Sequence, residues 1–256
     1  MSEPGEKLPE GTLVSHLLEL RDRLLKSMLT VLLVFAPCAY YSNQIFTFVA
    51  HPLLAKLPKG TSLIATSITT PFTTPFKLAF FVAIFISVPV LLYHVWAFVA
   101  PGLYRHEKRF AGPLIFSSVV LFYLGVLFAY FVVFPLMFAF FAATTPVGVT
   151  MMPDIDAYLS FILTMFLCFG VSFEVPIAVV LLTTTGLVKI EKLTEWRGYM
   201  LIIIFIIAAI LTPPDAISQC IMAIPMYLLY EGGIIMARVM LNMKRDQKAR
   251  EEAAAD

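Results

Sequence analysis

Charge is what this sequence has least of. Only 14% of its 256 residues are Asp, Glu, Lys or Arg, and 60% are hydrophobic; a soluble domain carries about a quarter charged residues. The expected solvent is therefore lipid, and the chain reads as an all-α polytopic membrane protein. Its formal net charge of +1 gives no basic surface for nucleic acid. Cysteine is scarce too. Cys38, Cys168 and Cys220 each stand alone in an apolar run, without metal or redox spacing, and read as small packing residues. There is no glycine-rich phosphate loop, no His-Glu-x-x-His and no Ser/His pair at hydrolase spacing. The four histidines, His16, His51, His94 and His106, are scattered over different elements. Neither catalysis nor a bound metal or cofactor is expected. No small-residue cleavage site closes the first apolar run, so that run is expected to act as its own insertion signal. No internal repeat is visible, which weakens the case for an inverted-repeat transporter.

What the chain does have is apolar runs. Residues 1–11 are polar and expected to be disordered. Thr12 is a plausible N-cap for a helix carrying Leu13, Leu17, Leu20 and Leu24 at helical spacing. Glu19, Asp22, Arg23 and Lys26 fall on its wetter face, so this helix should lie along the interface before it enters the bilayer. Glu19 and Arg23 are four apart and can pair with each other. A single domain at 12–237 is expected to hold six transmembrane helices, at about 24–41, 76–98, 114–134, 158–182, 199–211 and 217–237. A charged tail, 238–256, follows. Residues 42–75 and 142–157 read as loops on the far side, the first too polar to cross and long enough to form a cap.

Lysine and arginine set the orientation. Lys7, Arg21, Arg23, Lys26, Arg105, Lys108, Arg109, Lys189, Lys192, Arg197, Arg238, Lys244, Arg245, Lys248 and Arg250 fall on one side. Lys56, Lys59 and Lys77 fall on the other, so both termini are expected in the cytoplasm. Trp96 and Trp196 are placed at that same interface, as anchors. The fifth run has 13 apolar residues, about 20 Å of helix. A bilayer core is about 30 Å thick, so this last hairpin either thins the membrane or stops short of its far face. Pro37, Pro89, Pro135, Pro176 and Pro225 bend five of the spans, and bent rods can enclose a concave groove.

Few residues in this background can carry chemistry. Glu174 lies within the fourth span, where a carboxylate is costly and marks a pathway or partner site; it is expected to face the concave side, neutral or hydrogen-bonded. The plainer alternative is a protonated acid bonded to a carbonyl freed by Pro176. Asp215 follows Pro213-Pro214 and can cap the sixth helix, with Gln219 one turn further on. Glu231 reads as a snorkelling acid close to Arg238. Glu107 sits in the basic knot Arg105-His-Glu-Lys-Arg109, just after the helix stop Pro101-Gly102, and with Glu19 forms a pair of acids held at the membrane surface.

Several of these stretches together resemble the TatC family, the multi-spanning receptors of the twin-arginine protein translocase. They are His16-Leu-Leu-Glu-Leu-Arg-Asp-Arg-Leu-Leu25, Thr74-Pro-Phe-Lys77 and Trp96-Ala-Phe-x-x-Pro-x-Leu-Tyr-x-His-Glu107. Further along come Phe122-Tyr-x-Gly-x-x-Phe-Ala-Tyr-Phe-Val-Val-Phe-Pro135, Phe169-Gly-Val-Ser-Phe-Glu-Val-Pro176 and Thr212-Pro-Pro-Asp-x-x-Ser-Gln219. The resemblance covers about residues 12–237 and implies a glove-shaped bundle in the bacterial inner membrane. It implies a receptor for the signal peptides of folded cargo proteins, driven by the proton gradient. Glu19 and Glu107 match the positions that hold the two signal arginines, and Arg21, Phe98, Pro52, Glu174 and Asp215 match others linked to function. Small single-span partners, TatB and TatA, are implied near Thr212 and Gln219, with self-association in the complex. The alternative is a proton-coupled small-solute transporter built on Glu174, which requires a water-filled cavity with polar residues from several spans.

Overall fold

The computed structural model describes residues 10–54, 63–99, 108–146, 149, 152–212 and 215–255. Among these every regular element is a helix, with one isolated bridge between Ile64 and Asp154. The helices are α1 (Glu10–Tyr40), α2 (Ser42–Leu54), α3 (Thr70–Val99), α4 (Lys108–Phe128) and α5 (Phe134–Thr144). They continue with α6 (Ile155–Ser172), α7 (Val175–Thr184), α8 (Ile190–Glu195), α9 (Arg197–Leu211) and α10 (Ala216–Ala255). Five stretches are long and apolar enough to cross a membrane: Val14–Tyr40, Thr70–Phe98, Gly112–Thr144, Ile155–Thr184 and Ala216–Met243. The short apolar helix Arg197–Leu211 stands beside them.

The amphipathic entry helix and the first span are one continuous element, α1, and Pro37 lies inside it. Part of the expected loop 42–75 is helical instead. Ile45, Phe46 and Val49 recur at helical spacing on α2 and pack on the core, and α3 begins at Thr70. The third span continues past Pro135 to Thr144 because a π turn at Ala129–Val133 lies just before the proline. There the Phe134 N–H reaches back to Ala129 O, and the widened turn accommodates a ring that an α-helix would reject.

α1 packs along α3, α4 along α6, and α7 and α9 along α10. Lipid is as apolar as leucine, so packing and small-residue contacts, not the hydrophobic effect, hold such helices together. At Gly125 a Cβ would stand 2.5 Å from the Phe169 carbonyl oxygen; at Gly233 it would stand 2.9 Å from Pro176 Cα. Glycine is what lets α4 touch α6, and α10 touch α7.

Where α3 and α6 begin, a polar clamp joins them. Asp154 caps α6 through Oδ1, which accepts the N–H groups of Asp156 (2.9 Å) and Ala157 (3.1 Å). Its Oδ2 accepts the Thr66 N–H at 2.9 Å and the Thr66 hydroxyl at 2.7 Å. Lys77 reaches Asp156 at 2.6 and 2.8 Å and donates to Ser160 at 3.0 Å. The Thr66 hydroxyl, more than any other group, pulls the Asp154 carboxyl down to about 2 from its ordinary 3.8. A depressed carboxyl stabilises the fold above its ordinary value and loses that contribution as pH falls toward about 2. Thermal melts of the protein in detergent should show this acid-side loss. Asp154→Asn should melt lower at neutral pH and show a flatter acid limb; superimposable pH profiles would exclude the clamp.

Candidate functional site

Near the N-terminal end of α1 the charges are already paired with one another. Arg23 donates from Nε (2.9 Å) and Nη2 (2.6 Å) to the same Glu19 oxygen, one helical turn away. Arg21 donates to Asp22 at 3.0 and 2.9 Å. The Glu19 side chain keeps 42% of its surface exposed and Arg23 keeps 24%, so water and a competing cation can reach the pair. The ring of His16, on the same helix, stacks on Phe98 in the last turn of α3, with centroids 4.3 Å apart and planes at 14°. The structure thus brings Glu19, Arg21 and Phe98 to one end of the α1–α3 pair. Glu107 and the basic knot lie outside the described residues. Pro52 falls within α2 and is not adjacent to this patch in sequence.

Glu174 sits in a break of the fourth span. α6 ends at Ser172, Phe173 and Glu174 form a turn, and α7 starts at Val175 with Pro176 in its first turn. The residue is 9% exposed, so its carboxyl group is largely enclosed by neighbouring side chains. Its partner is Ser118 of α4, whose hydroxyl donates to Oε2; the carbonyl expected to be freed by Pro176 is not the partner. The Trp96 indole donates in turn to the Ser118 oxygen at 2.7 Å. Oε1 has no partner among the described residues. Trp96 is therefore not the lipid-facing anchor expected of it: it is 6% exposed and packs against Ile177 and Leu181 of α7. Trp196 remains 41% exposed, with Lys192 Nζ 5.2 Å from its ring centroid. Sequence reasoning passed over Ser118, although Ser117-Ser118 is a doublet of hydroxyls within an apolar run.

At the α9–α10 hairpin Asp215 caps α10, accepting the Ser218 N–H at 2.7 Å. Thr212 is buried and donates to Ala208 O at 2.8 Å, while Gln219 is half-buried. Glu231 pairs with Arg197 at 2.6 Å and accepts from Tyr227 at 2.9 Å; Arg238, its expected neighbour, donates to Thr194 instead. These contacts bind the start of α9 to α10, so the short helix is held by its polar end.

A cavity of about 430 Å³ lies between α4, the α6–α7 break and α10. Its lining, including Leu121, Phe128, Phe173, Pro176, Leu228 and Met236, is apolar. A solute pathway would need converging polar groups there, and none line it.

Comparison with known proteins gives a consistent likeness. The sequence profile of the Sec-independent protein translocase protein TatC matches residues 15–225. The TatC protein of Haemophilus influenzae is 56% identical over 238 residues, covering 93% of this chain and 92% of its own. The Escherichia coli K12 protein is 48% identical over 236 residues, 92% of each chain. A crystal structure of the twin-arginine translocase receptor TatC matches with a TM-score of 0.79 at 39% identity, covering 88% of this chain and 98% of that one.

Proposed function

This chain belongs to the TatC family of Sec-independent protein translocase proteins, and from that premise we propose that it is a membrane receptor for twin-arginine signal peptides. It is the core of a translocase that moves folded proteins across the bacterial inner membrane, using the proton gradient. Both termini lie in the cytoplasm, the side favoured by the lysine and arginine distribution. The exposed, arginine-paired carboxylate of Glu19 beside the His16–Phe98 stack is the observation that carries this reading.

Glu19 and Glu107 each receive one signal guanidinium, with Arg21 and Phe98 flanking the site. A guanidinium binds a carboxylate through a rigid fork that an ammonium lacks, which makes the site selective for arginine over lysine. Glu19 already holds Arg23, so a signal arginine replaces one guanidinium with another. Two charge-assisted pairs contribute about 3–6 kcal/mol before that exchange is counted. Micromolar affinity needs about 8 kcal/mol. The apolar stretch of the signal, lying against the membrane-embedded surface, supplies the difference. Specificity and affinity thus come from different parts of the ligand, which suits a receptor that must release its cargo.

Partner subunits of the TatB and TatA type pack against α9 and the start of α10. Ile202, Ile206 and Ile210 are exposed on α9, and Thr212 and Gln219 stand at the hairpin. Glu174, Asp215 and Pro52 contribute away from the arginine site, and the receptor self-associates within the complex.

A fluorescent twin-arginine peptide titrated into membranes containing the protein tests the reading. It should bind about tenfold or more tightly than its Lys-Lys counterpart, the loss of one forked contact per site. Equal binding of the two peptides overturns it.

A further inference from the structure

The last turn of α3 faces two ways. Phe98 stacks on His16 of α1, while Trp96, two residues earlier and so about 200° around the helix, points into the bundle. There its indole N–H donates to Ser118 on α4, and the Ser118 hydroxyl donates to Glu174 between α6 and α7. The indole ring itself rests on Ile177 and Leu181 of α7, beyond the break. Trp96 and Ser118 are both buried, and Ser118 is fully so. Four elements are thus joined through three side chains, in a medium that offers no water to replace a lost bond.

We propose that Ser118 and Trp96 are positioning residues that hold the Glu174 carboxylate at the α6–α7 break, and that the end of α3 transmits occupancy of the His16–Phe98 patch to it. The second half rests on the reading of that patch as part of the signal-peptide site. A hydroxyl can donate one hydrogen bond while accepting another, so Ser118 is the joint of the chain: with its proton on Glu174, its lone pair is left to the indole. Displacing Phe98 moves the backbone that carries Trp96, and a shift there must either stretch the indole–Ser118 bond or carry Ser118 with it. Glu174 has one oxygen held by Ser118 and one without a partner among the described residues. A carboxylate held at one oxygen in a break between helices changes partners when that hold is released.

The chain contains two tryptophans, Trp96 and Trp196, so indole-labelled protein gives two resolvable N–H signals in an NMR spectrum. Assignment follows from Trp196→Phe. The Trp96 proton should be the more slowly exchanging of the two, and Ser118→Ala should shift it and speed its exchange. Glu174→Gln, which keeps an acceptor for Ser118, should leave it nearly in place; Glu174→Ala should not. Adding the twin-arginine peptide should move the Trp96 signal in native protein. Cargo transport by Ser118→Ala should fall about tenfold with peptide affinity unchanged, as expected of one lost hydrogen bond. Ser118→Thr should restore it. Bound peptide, measured separately by its own fluorescence, with a stationary Trp96 signal overturns the transmission and leaves the receptor reading intact. Absence of any peptide binding overturns both. A Trp96 signal indifferent to Ser118→Ala overturns the positioning role, whatever the peptide does.

Discussion

Replacing Glu19 and Glu107 together with alanine should reduce binding of a twin-arginine peptide by about 100-fold or more. Two charge-assisted pairs are lost, and their lower bound of about 3 kcal/mol corresponds to that factor. The change goes beyond simple loss. Arg23 and Arg21 would remain, and without Glu19 the Arg23 guanidinium is unpaired and repels an incoming cation. Glu19→Ala alone should therefore cost more than half of the total effect. Protein abundance should stay near native for Glu19→Ala, because surface substitutions change stability by about 0.5 kcal/mol at most. The lysine peptide, already weak, should lose less than the arginine peptide, because it has no forked contact to lose. Titrating both peptides against native, single and double variants in the same membranes checks every part of this. Retention of native affinity and of the preference for arginine in the double variant would remove these two acids from the site.

A single methyl group at Gly125 should do more damage to the fold than either of those charge changes. The added carbon would lie 2.5 Å from the oxygen and 2.9 Å from the carbon of the Phe169 carbonyl, and both are backbone atoms of a neighbouring helix. No rotamer relieves that, so α4 and α6 must move apart. Overpacking of this kind costs about 1–3 kcal/mol, and rigid backbone on both sides places it at the upper end. Separating these helices also disturbs the core around Phe166 and Phe169 and draws Ser118 away from Glu174. Gly112, on the same helix, has open space where its Cβ would stand, so Gly112→Ala should be neutral or slightly stabilising. Melting temperature in detergent for the two variants makes the comparison. Gly125→Ala melting with the native protein would mean that the α4–α6 contact is looser than the structure shows.

The apolar runs were legible in the sequence because lipid imposes one simple demand, about 20 residues without charge. The shortness of α9 and the cap at Asp215 could be read for the same kind of reason: both depend on neighbours in the chain. What escaped was set by partners distant in sequence. Asp154 meets Thr66 across 88 positions, and Glu174 meets Ser118 across 56. Trp96 has the composition of an interfacial anchor, and its burial follows from the helix α7 that happens to lie beside it. Glu231 stands seven residues from Arg238, two turns along one face, yet Arg197 on the antiparallel helix α9 takes the pair. The helix α2 was hidden in a stretch judged by its polarity, although Ile45, Phe46 and Val49 already showed the helical period.

The length of α10 has a mechanical consequence. It runs from Ala216 to Ala255 as one element of 40 residues, about 60 Å at 1.5 Å per residue, with Pro225 near its start. The 30 residues beyond Pro225 form a stiff arm of about 45 Å, whose last 12 residues lie beyond the apolar stretch that ends at Met243. Proline is where such a rod yields most easily. A tilt of about 10° at that point would sweep the free end through about 8 Å, by the same rise per residue. A displacement too small to disturb the packing beside Pro225 is thereby magnified, at the far end of the arm, into a change that another molecule in the aqueous phase can feel.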